Sequence, residues 1–297
     1  MTQTKRTDWR ASLHGGHSSA YCDHASSTLE EMLDAAVAAG MSVFGVTEHA
    51  PRVEPERLYD EELALGWTVE HLDDLFGRYA AELDRLIPRY ADRLAVLKGF
   101  EAEIVPVGRY REVMADFRER LGFDYIVGSV HYVAGHIIDY KEERFARAVA
   151  DCGGIGAACV QYYRNVAEMA ETLRPEVVGH FDLVRQRFAD DYSAAPPAVR
   201  RAALEALEAV RDCGAILDIN TGGLRKGFGH PYPAPWIVGA AHGMGIPMCF
   251  GDDSHSAAQV GYGLDTARNY LLALGVNSVT VLEPGTAGLN RRAVPLA

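Results

Sequence analysis

The sequence predicts a parallel α/β barrel. Three observations lead there. Apolar, β-branched runs alternate along the chain with long amphipathic segments, which is the signature of strands joined by crossover helices. About seven such units follow one another, which favours a barrel over an open sheet. No Pro-rich or Gly/Ser-rich linker divides the 297 residues, so a single domain spanning 1–297 is expected.

The elements read as follows. The residues before His14 supply a short first strand. SVFGVTEH (42–49), LAVLKGFEAE (94–103), FDYIVGSVH (123–131), EVVGH (176–180), AILDINTGG (215–223) and IPMCFGDDSH (246–255) read as buried strands with polar ends. STLEEMLDAAVAAG opens on Ser/Thr near a Glu and closes on Gly40, matching helix start and stop signals. VEHLDDLFGRYAAELDRLI repeats apolar residues at intervals of three and four. APPAVRRAALEALEAVRDCG has prolines at its entry and Gly214 at its exit. DTARNYLLALG reads as a last helix and NSVTVLE as a last short strand.

Composition narrows the function. The formal charge is −12, from 29 basic and 41 acidic residues. A long nucleic-acid track is disfavoured, because such binders carry a basic footprint. No stretch approaches 18 uninterrupted apolar residues, so no membrane span is expected. The N-terminus has no apolar run after its basic residues and does not read as a signal peptide. The five cysteines are odd in number and form no CxxC pair, which fits reduced thiols in a cytoplasmic protein. Cys22, between His17 and His24, reads as a small buried residue. Nothing in the sequence sets an oligomeric state.

The 11 histidines are the most informative feature. His49, His131 and His180 close expected strands, and His255 follows a GDD turn. Glu101 ends another strand, and His14, His17 and His24 crowd the region after the first. Strand C-termini of a parallel barrel converge on one face, where active sites are built. So many imidazoles without partners would each cost about 1–3 kcal/mol if buried. Coordination of zinc, iron or manganese supplies partners. His71, His136, His230 and His242 read as ordinary helix or loop residues.

Together HGGHSSAYCDHA, VTEHAP, GFEAE, GSVHYV, GHFDL, LDINTGGLRKG and GDDSHS stand in an order that resembles the PHP-domain (polymerase and histidinol phosphatase) family, over about 14–263. Within it the chain is most similar to the monofunctional histidinol-phosphatases. The resemblance implies a distorted (β/α)7 TIM-like barrel with its site at the strand C-terminal face. It also implies three divalent metal ions, Zn, Fe or Mn, held by His17, His24, His49, Glu101, His131, His180, Asp253 and His255. Glu101 would bridge two metals, and His24, His49 and His255 would hold the third. Catalysis would centre on Glu101, His131, Asp253 and His255, with a metal-bridging hydroxide attacking a phosphate monoester, L-histidinol phosphate in particular. Arg225, Lys226 and Asn220 are candidate substrate contacts, although Arg225 and Lys226 also read as an exposed basic pair and Asn220 as a turn cap. Asp252 is a candidate to orient a ligand, and Arg185 reads as a surface charge.

One departure stands out. The family opens with His-x-His, whereas here the spacing is three, His14-Gly15-Gly16-His17. Either the glycines let His14 turn back into the site through a local bulge, or one ligand of the first metal is missing; the former is preferred. Two other functions remain open: a PHP-type phosphodiesterase or exonuclease acting on a short nucleotide, and a non-catalytic metal-binding module. The acidic balance does not oppose one small phosphate, because bound cations would dominate the local field.

Overall fold

The computed structural model describes residues 8–187, 195–286 and 288–297. Among these residues, the central sheet has seven parallel strands in sequence order. They are β1 (Ala11–Ser12), β2 (Val43–His49), β3 (Ala95–Ala102), β4 (Tyr125–Gly128), β5 (Val177–Val178), β6 (Ile216–Asn220) and β7 (Met248–Gly251). A parallel bridge between His14 and Gly251 brings the last strand beside the first. Leu13 N–H donates to Phe250 O at 2.8 Å along this seam. The result is a nearly closed barrel, and apolar strand side chains such as Leu13, Phe44, Phe100 and Phe250 are buried, Phe100 against Phe76 of a covering helix. The Tyr125 hydroxyl donates to Leu13 O at 2.7 Å, so that this polar group is satisfied in the core.

Helices cover the outside for reasons visible in their sequences. Helix α1 (Leu29–Ala38) starts on a capping box, with Glu31 N–H donating to Thr28 Oγ1 and Thr28 N–H donating back to Glu31. Helix α2 (Val69–Tyr90) buries Leu72, Phe76, Tyr79, Leu83 and Leu86, one face at helical spacing. Helices α3 (Tyr110–Leu121), α4 (Glu142–Asp151) and α5 (Ile155–Leu173) are not singled out by the sequence reading. Helices α6 (Pro197–Cys213), α7 (Pro235–Gly243) and α8 (Leu264–Ala273) complete the series.

The expected strands are present but shorter. The run to His131 ends as a strand at Gly128, and His131 opens onto a small hairpin, Tyr132–Val133 with His136–Ile137. The run to Gly223 ends at Asn220, after which Gly222–Arg225 form one helical turn. The final run is longer than expected. Ser278–Gly285 pairs antiparallel with Gly288–Pro295 in a separate hairpin, outside the barrel. Because the barrel strands stop early, the residues just beyond them are free to turn across the mouth.

Candidate metal centre

Glu101 lies on β3, with its side chain buried at the C-terminal mouth of the barrel. Five imidazoles surround its carboxylate, from His14 (3.3 Å), His17 (3.9 Å), His49 (2.9 Å), His131 (3.7 Å) and His180 (3.0 Å). His17 Nε2 also lies 3.4 Å from Asp253 Oδ1. The His255 ring stacks on His17 at 4.4 Å between centroids. Asp253 adopts φ +46°, a conformation uncommon for a residue with a side chain. That turn follows β7 and carries Asp253 and His255 towards the cluster.

His14 reaches this group despite its irregular spacing. Its backbone bridges Gly251, and the chain then advances through both glycines before His17 N–H donates to Ser254 O at 2.8 Å. A Cβ at Gly15 would stand 2.0 Å from Gly45 O, and one at Gly16 would stand 2.3 Å from Met32 Cε. The extra residue is thus absorbed where only glycine fits, and His14 and His17 both face Glu101.

Carboxylates behind the histidines fix their rings. His14 Nδ1 is 2.9 Å from Asp218 Oδ2, and His131 Nδ1 is 2.7 Å from Glu103 Oε2. His17 Nδ1 lies 3.5 Å from Glu48 Oε2, while Glu48 Oε1 accepts from the Ser18 backbone N–H and hydroxyl. A carboxylate on the far nitrogen sets the tautomer and aims the other nitrogen's lone pair inward. Sequence reasoning missed Asp218, Glu103 and Glu48. Their signal was present, since each sits near a ligand candidate in LDIN, FEAE or TEH.

Other candidates fall elsewhere. Asn220 is fully buried below the cavity: its amide donates to Asp218 Oδ2 at 3.0 Å, and its Oδ1 accepts from Gly222 N–H at 2.8 Å. Asn220 thus caps the turn after β6 and holds Asp218. Arg225 lines the cavity, but its guanidinium donates to the carbonyls of Asp252 and Asp253 at 2.7 and 2.6 Å, bracing the turn that carries Asp253. Lys226 also lines the cavity. Asp252 Oδ2 accepts from Gly261 N–H at 2.7 Å, so it too ties down this turn. His24 is half-exposed at the rim, 4.9 Å from the His255 ring. Arg185, expected at the surface, is buried beside Asp182, where its Nε lies 3.1 Å from Oδ2 and Phe228 and Tyr232 flank the guanidinium.

The electrostatics fit a cation centre. Burial works against ionisation of Glu101, yet the neighbouring His14 and His131 outweigh it and hold the carboxyl well below its usual range. Burial also opposes charge on His17, but the nearby carboxylates of Asp253 and Glu48 push it up to about 9. His131 rises to about 10 because Asp139, Glu101 and Glu103 overcome its burial. His255 falls to about 3 through burial and the charge on His17. Protons on some imidazoles thus stand where cations would sit. Donor atoms converge in the sets His14/His17/Glu101, His14/His180/Asp253, Glu101/His131/His180 and His17/Cys22/His49/His255. Buried His14 Nε2 and both ring nitrogens of His17 lack a hydrogen-bond partner. Such orphaned nitrogens suit metal coordination, so the donor set fits several divalent cations.

A cavity of about 590 Å³ opens above the cluster, large enough for a small substrate. Comparison with known proteins agrees with this geometry: a PHP domain matches residues 14–222. The chain belongs to the PHP-domain family. A relative from Schizosaccharomyces pombe, named a probable histidinol-phosphatase, is 31% identical over 92% of this chain and 89% of its own. The Bacillus subtilis histidinol-phosphatase is 30% identical, covering 82% of this chain and 92% of its own. The PHP barrel also matches a Lactococcus lactis histidinol phosphate phosphatase, solved with zinc, L-histidinol and phosphate, with a TM-score of 0.73 and 18% identity over 96% of this chain and 100% of that one.

Proposed function

We propose that this chain, acting as one domain, is a metal-dependent phosphomonoesterase and that its substrate is L-histidinol phosphate. The carrying observation is the arrangement of charge in the cavity. Its floor is the Glu101-centred ligand cluster, and Lys226 and the carboxylates of Asp23, Glu61 and Asp139 also line it. An anionic phosphate suits the cation-bearing floor, and an amine-bearing leaving group suits the carboxylates. A polyanion meets repulsion from the same carboxylates, which disfavours the nucleic-acid reading. The names of the relatives support the substrate.

His14, His17, Glu101 and Asp253 would hold one cation, Glu101, His131 and His180 a second, and a third would be built around His49 and His255. Such cations, whether zinc, iron or manganese, supply a nucleophilic water at neutral pH and offset charge on the phosphate oxygens. The protein's part is to position. Glu103 holds His131 Nδ1, Asp218 holds His14 Nδ1, and Arg225 fixes the turn carrying Asp253. Lys226, which lines the cavity, would contact the phosphate end. Asp139, whose Oδ1 is buried without a hydrogen-bond partner, is placed to receive the substrate ammonium.

No disulfide joins any of the five cysteines, and among the described residues no helix is long and apolar enough to cross a membrane. Reduced thiols support placement in the cytoplasm. The test is metal analysis followed by turnover of histidinol phosphate against a dinucleotide, a nucleoside bisphosphate and simple phosphomonoesters. Preferential phosphate release from histidinol phosphate, lost on chelation and restored by zinc, manganese or iron, is expected. Bound metal with no phosphate release from any substrate would overturn the proposal.

A further inference from the structure

A second cavity, of about 440 Å³, lies beside the hairpin that follows His131. It shares no lining residue with the catalytic cavity. Its walls come from the loop between β3 and α3, the turn of the hairpin, the C-terminal end of α4 and one face of α5. Its size falls in the range of small-molecule sites, about 300–1,000 Å³.

The lining divides by chemistry. Ile104, Val105, Tyr110 and Tyr132 are buried and give an apolar interior with two aromatic rings. Asp151 and Glu168 are exposed and line the cavity as well, whereas no Lys, Arg or His does. Asp151 Oδ2 also lies 2.8 Å from His136 Nε2, so Glu168 is the carboxylate better placed to meet a ligand. A flat apolar body suits the interior, and one positive charge suits the carboxylates. An anion suits neither.

The same cavity touches the support of the metal centre. Ile104 follows Glu103, and its N–H donates to Glu103 Oε1 at 2.7 Å. Tyr132 follows His131, and its carbonyl accepts from Asn165 Nδ2 at 3.0 Å. Asn165 Oδ1 accepts in turn from Gln161 Nε2 at 2.8 Å, and both amides line the cavity. Glu103 and His131, joined through His131 Nδ1 at 2.7 Å, therefore each stand one residue from the cavity wall.

We propose that this cavity is a second ligand site, for a small ring-bearing amine in its ammonium form, and that its occupancy is coupled to metal loading through the Glu103–His131 pair. The ring lies against Tyr110 and Tyr132, and the ammonium faces Glu168. A cation held at His131 fixes that imidazole and its Glu103 partner, and with them Tyr132 and Ile104, so the amine meets a preformed wall. Such coupling is reciprocal: the amine tightens metal binding by the factor by which metal tightens the amine. The coupling rests on the metal-centre reading above; the ligand site does not.

The experiment is calorimetric titration of tyramine into the full-length protein, zinc-loaded and chelated, with circular dichroism reporting the fold of each sample. One equivalent should bind, about fivefold or more tightly to the zinc-loaded form. Glu168→Lys, an exposed change that reverses the charge, should weaken binding about tenfold. Cys152→Trp, which puts bulk at the wall, should weaken it further. Asp139→Asn, in the catalytic cavity, should leave it unchanged, and 3-phenylpropionate, a ring with the opposite charge, should not bind. The site is overturned if folded wild type takes up no tyramine, if Glu168→Lys and Cys152→Trp both bind it normally, or if 3-phenylpropionate binds as well. Loss of binding in Asp139→Asn alone would place the amine in the catalytic cavity and overturn the site too. Equal affinity with and without zinc overturns the coupling. Phosphate release from histidinol phosphate is measured in parallel. Turnover without tyramine binding rejects the second site and leaves the phosphatase reading standing, whereas tyramine binding that the cavity variants abolish, with no turnover, does the reverse.

Discussion

Glu103 accepts two hydrogen bonds from a single residue, at 3.0 Å from the backbone N–H of His131 and at 2.7 Å from its ring Nδ1. The pair fixes both where the His131 backbone leaves β4 and which way its ring faces. His131 Nε2 is thereby aimed at His180 Nε2, 3.2 Å away, and at Glu101.

Removing that support should cost function more than fold. Glu103→Ala is expected to lower kcat/KM or metal affinity about 10–100-fold, the usual range for a carboxylate behind a metal-ligating histidine. His131→Ala should lower turnover by orders of magnitude while the barrel stays folded. Steady-state phosphate release, metal analysis and circular dichroism check both. Near-normal activity of His131→Ala would show that the site has been placed wrongly.

Gly15→Ala tests how the chain accommodates its extra residue. The new methyl would meet Gly45 O, a backbone atom of β2 that cannot swing aside. Forcing atoms into a packed interior costs about 1–3 kcal/mol, so a lower Tm is expected. Displacement of His14 should also reduce the bound-metal count. Unchanged stability together with unchanged metal content would show that the Gly15–Gly45 contact is not tight.

The metal-free protein should show a stability maximum with pH. His17 and His131 are raised from 6.5 to about 9 and about 10, so their contribution is complete below pH 6.5 and is lost as pH rises through those values. His255 is lowered from 6.5 to about 3, so the unfolded chain takes up a proton that the fold excludes, and stability falls as pH drops below 6.5. Chelated protein should therefore melt highest near pH 6.5, the ordinary histidine value at which the two trends meet, and lose stability steadily towards pH 9 and 10. Zinc-loaded protein should lose less on the alkaline side, because cations there replace protons. A melting temperature of the chelated protein that keeps rising to pH 10 would contradict this account.

Asp139→Asn should separate tail recognition from phosphate chemistry. A hydrogen bond to a charged group contributes about 1.5–3 kcal/mol, so KM for histidinol phosphate should rise tenfold or more. Turnover of a phosphomonoester that lacks an amine should change little. Equal loss on both substrates would place Asp139 in the chemistry rather than in tail recognition.

Arg185→Met should leave the buried Asp182 carboxylate without its cation. Breaking such a pair costs about 3–5 kcal/mol, readable by urea denaturation. The double variant Arg185→Met/Asp182→Asn should recover part of this loss. No recovery would show that the arginine stabilises through its contacts with Phe228 and Tyr232 instead.

Much of the barrel is legible in the sequence because burial on both faces forces continuous apolar runs, and because each run stops at a residue that must face the mouth. Strand lengths are less legible. A polar residue such as His131 extends the apparent run whether it continues the ladder, as His49 does, or leaves it. Helix α5 is hidden because IGAACVQYYRNVAEMAETL carries no charged residue in its first half to mark an outer face. At the site, imidazoles at strand ends announce themselves. Asp218 and Glu48 do not, because a buried carboxylate inside a strand is recognised only once its partner across the barrel is known. Arg185 misled for the same reason: its charge suggested the surface, and Asp182 with two aromatic rings makes burial tolerable.

The seam of the barrel and part of the ligand cluster are built from the same two segments. His14 and His17 follow the first strand, while Asp253 and His255 follow the last, and the Asp253 N–H donates to His14 O at 2.9 Å. That part of the site is therefore incomplete until β7 has taken its place beside β1, and a cation held there would fasten the beginning of the fold to its end.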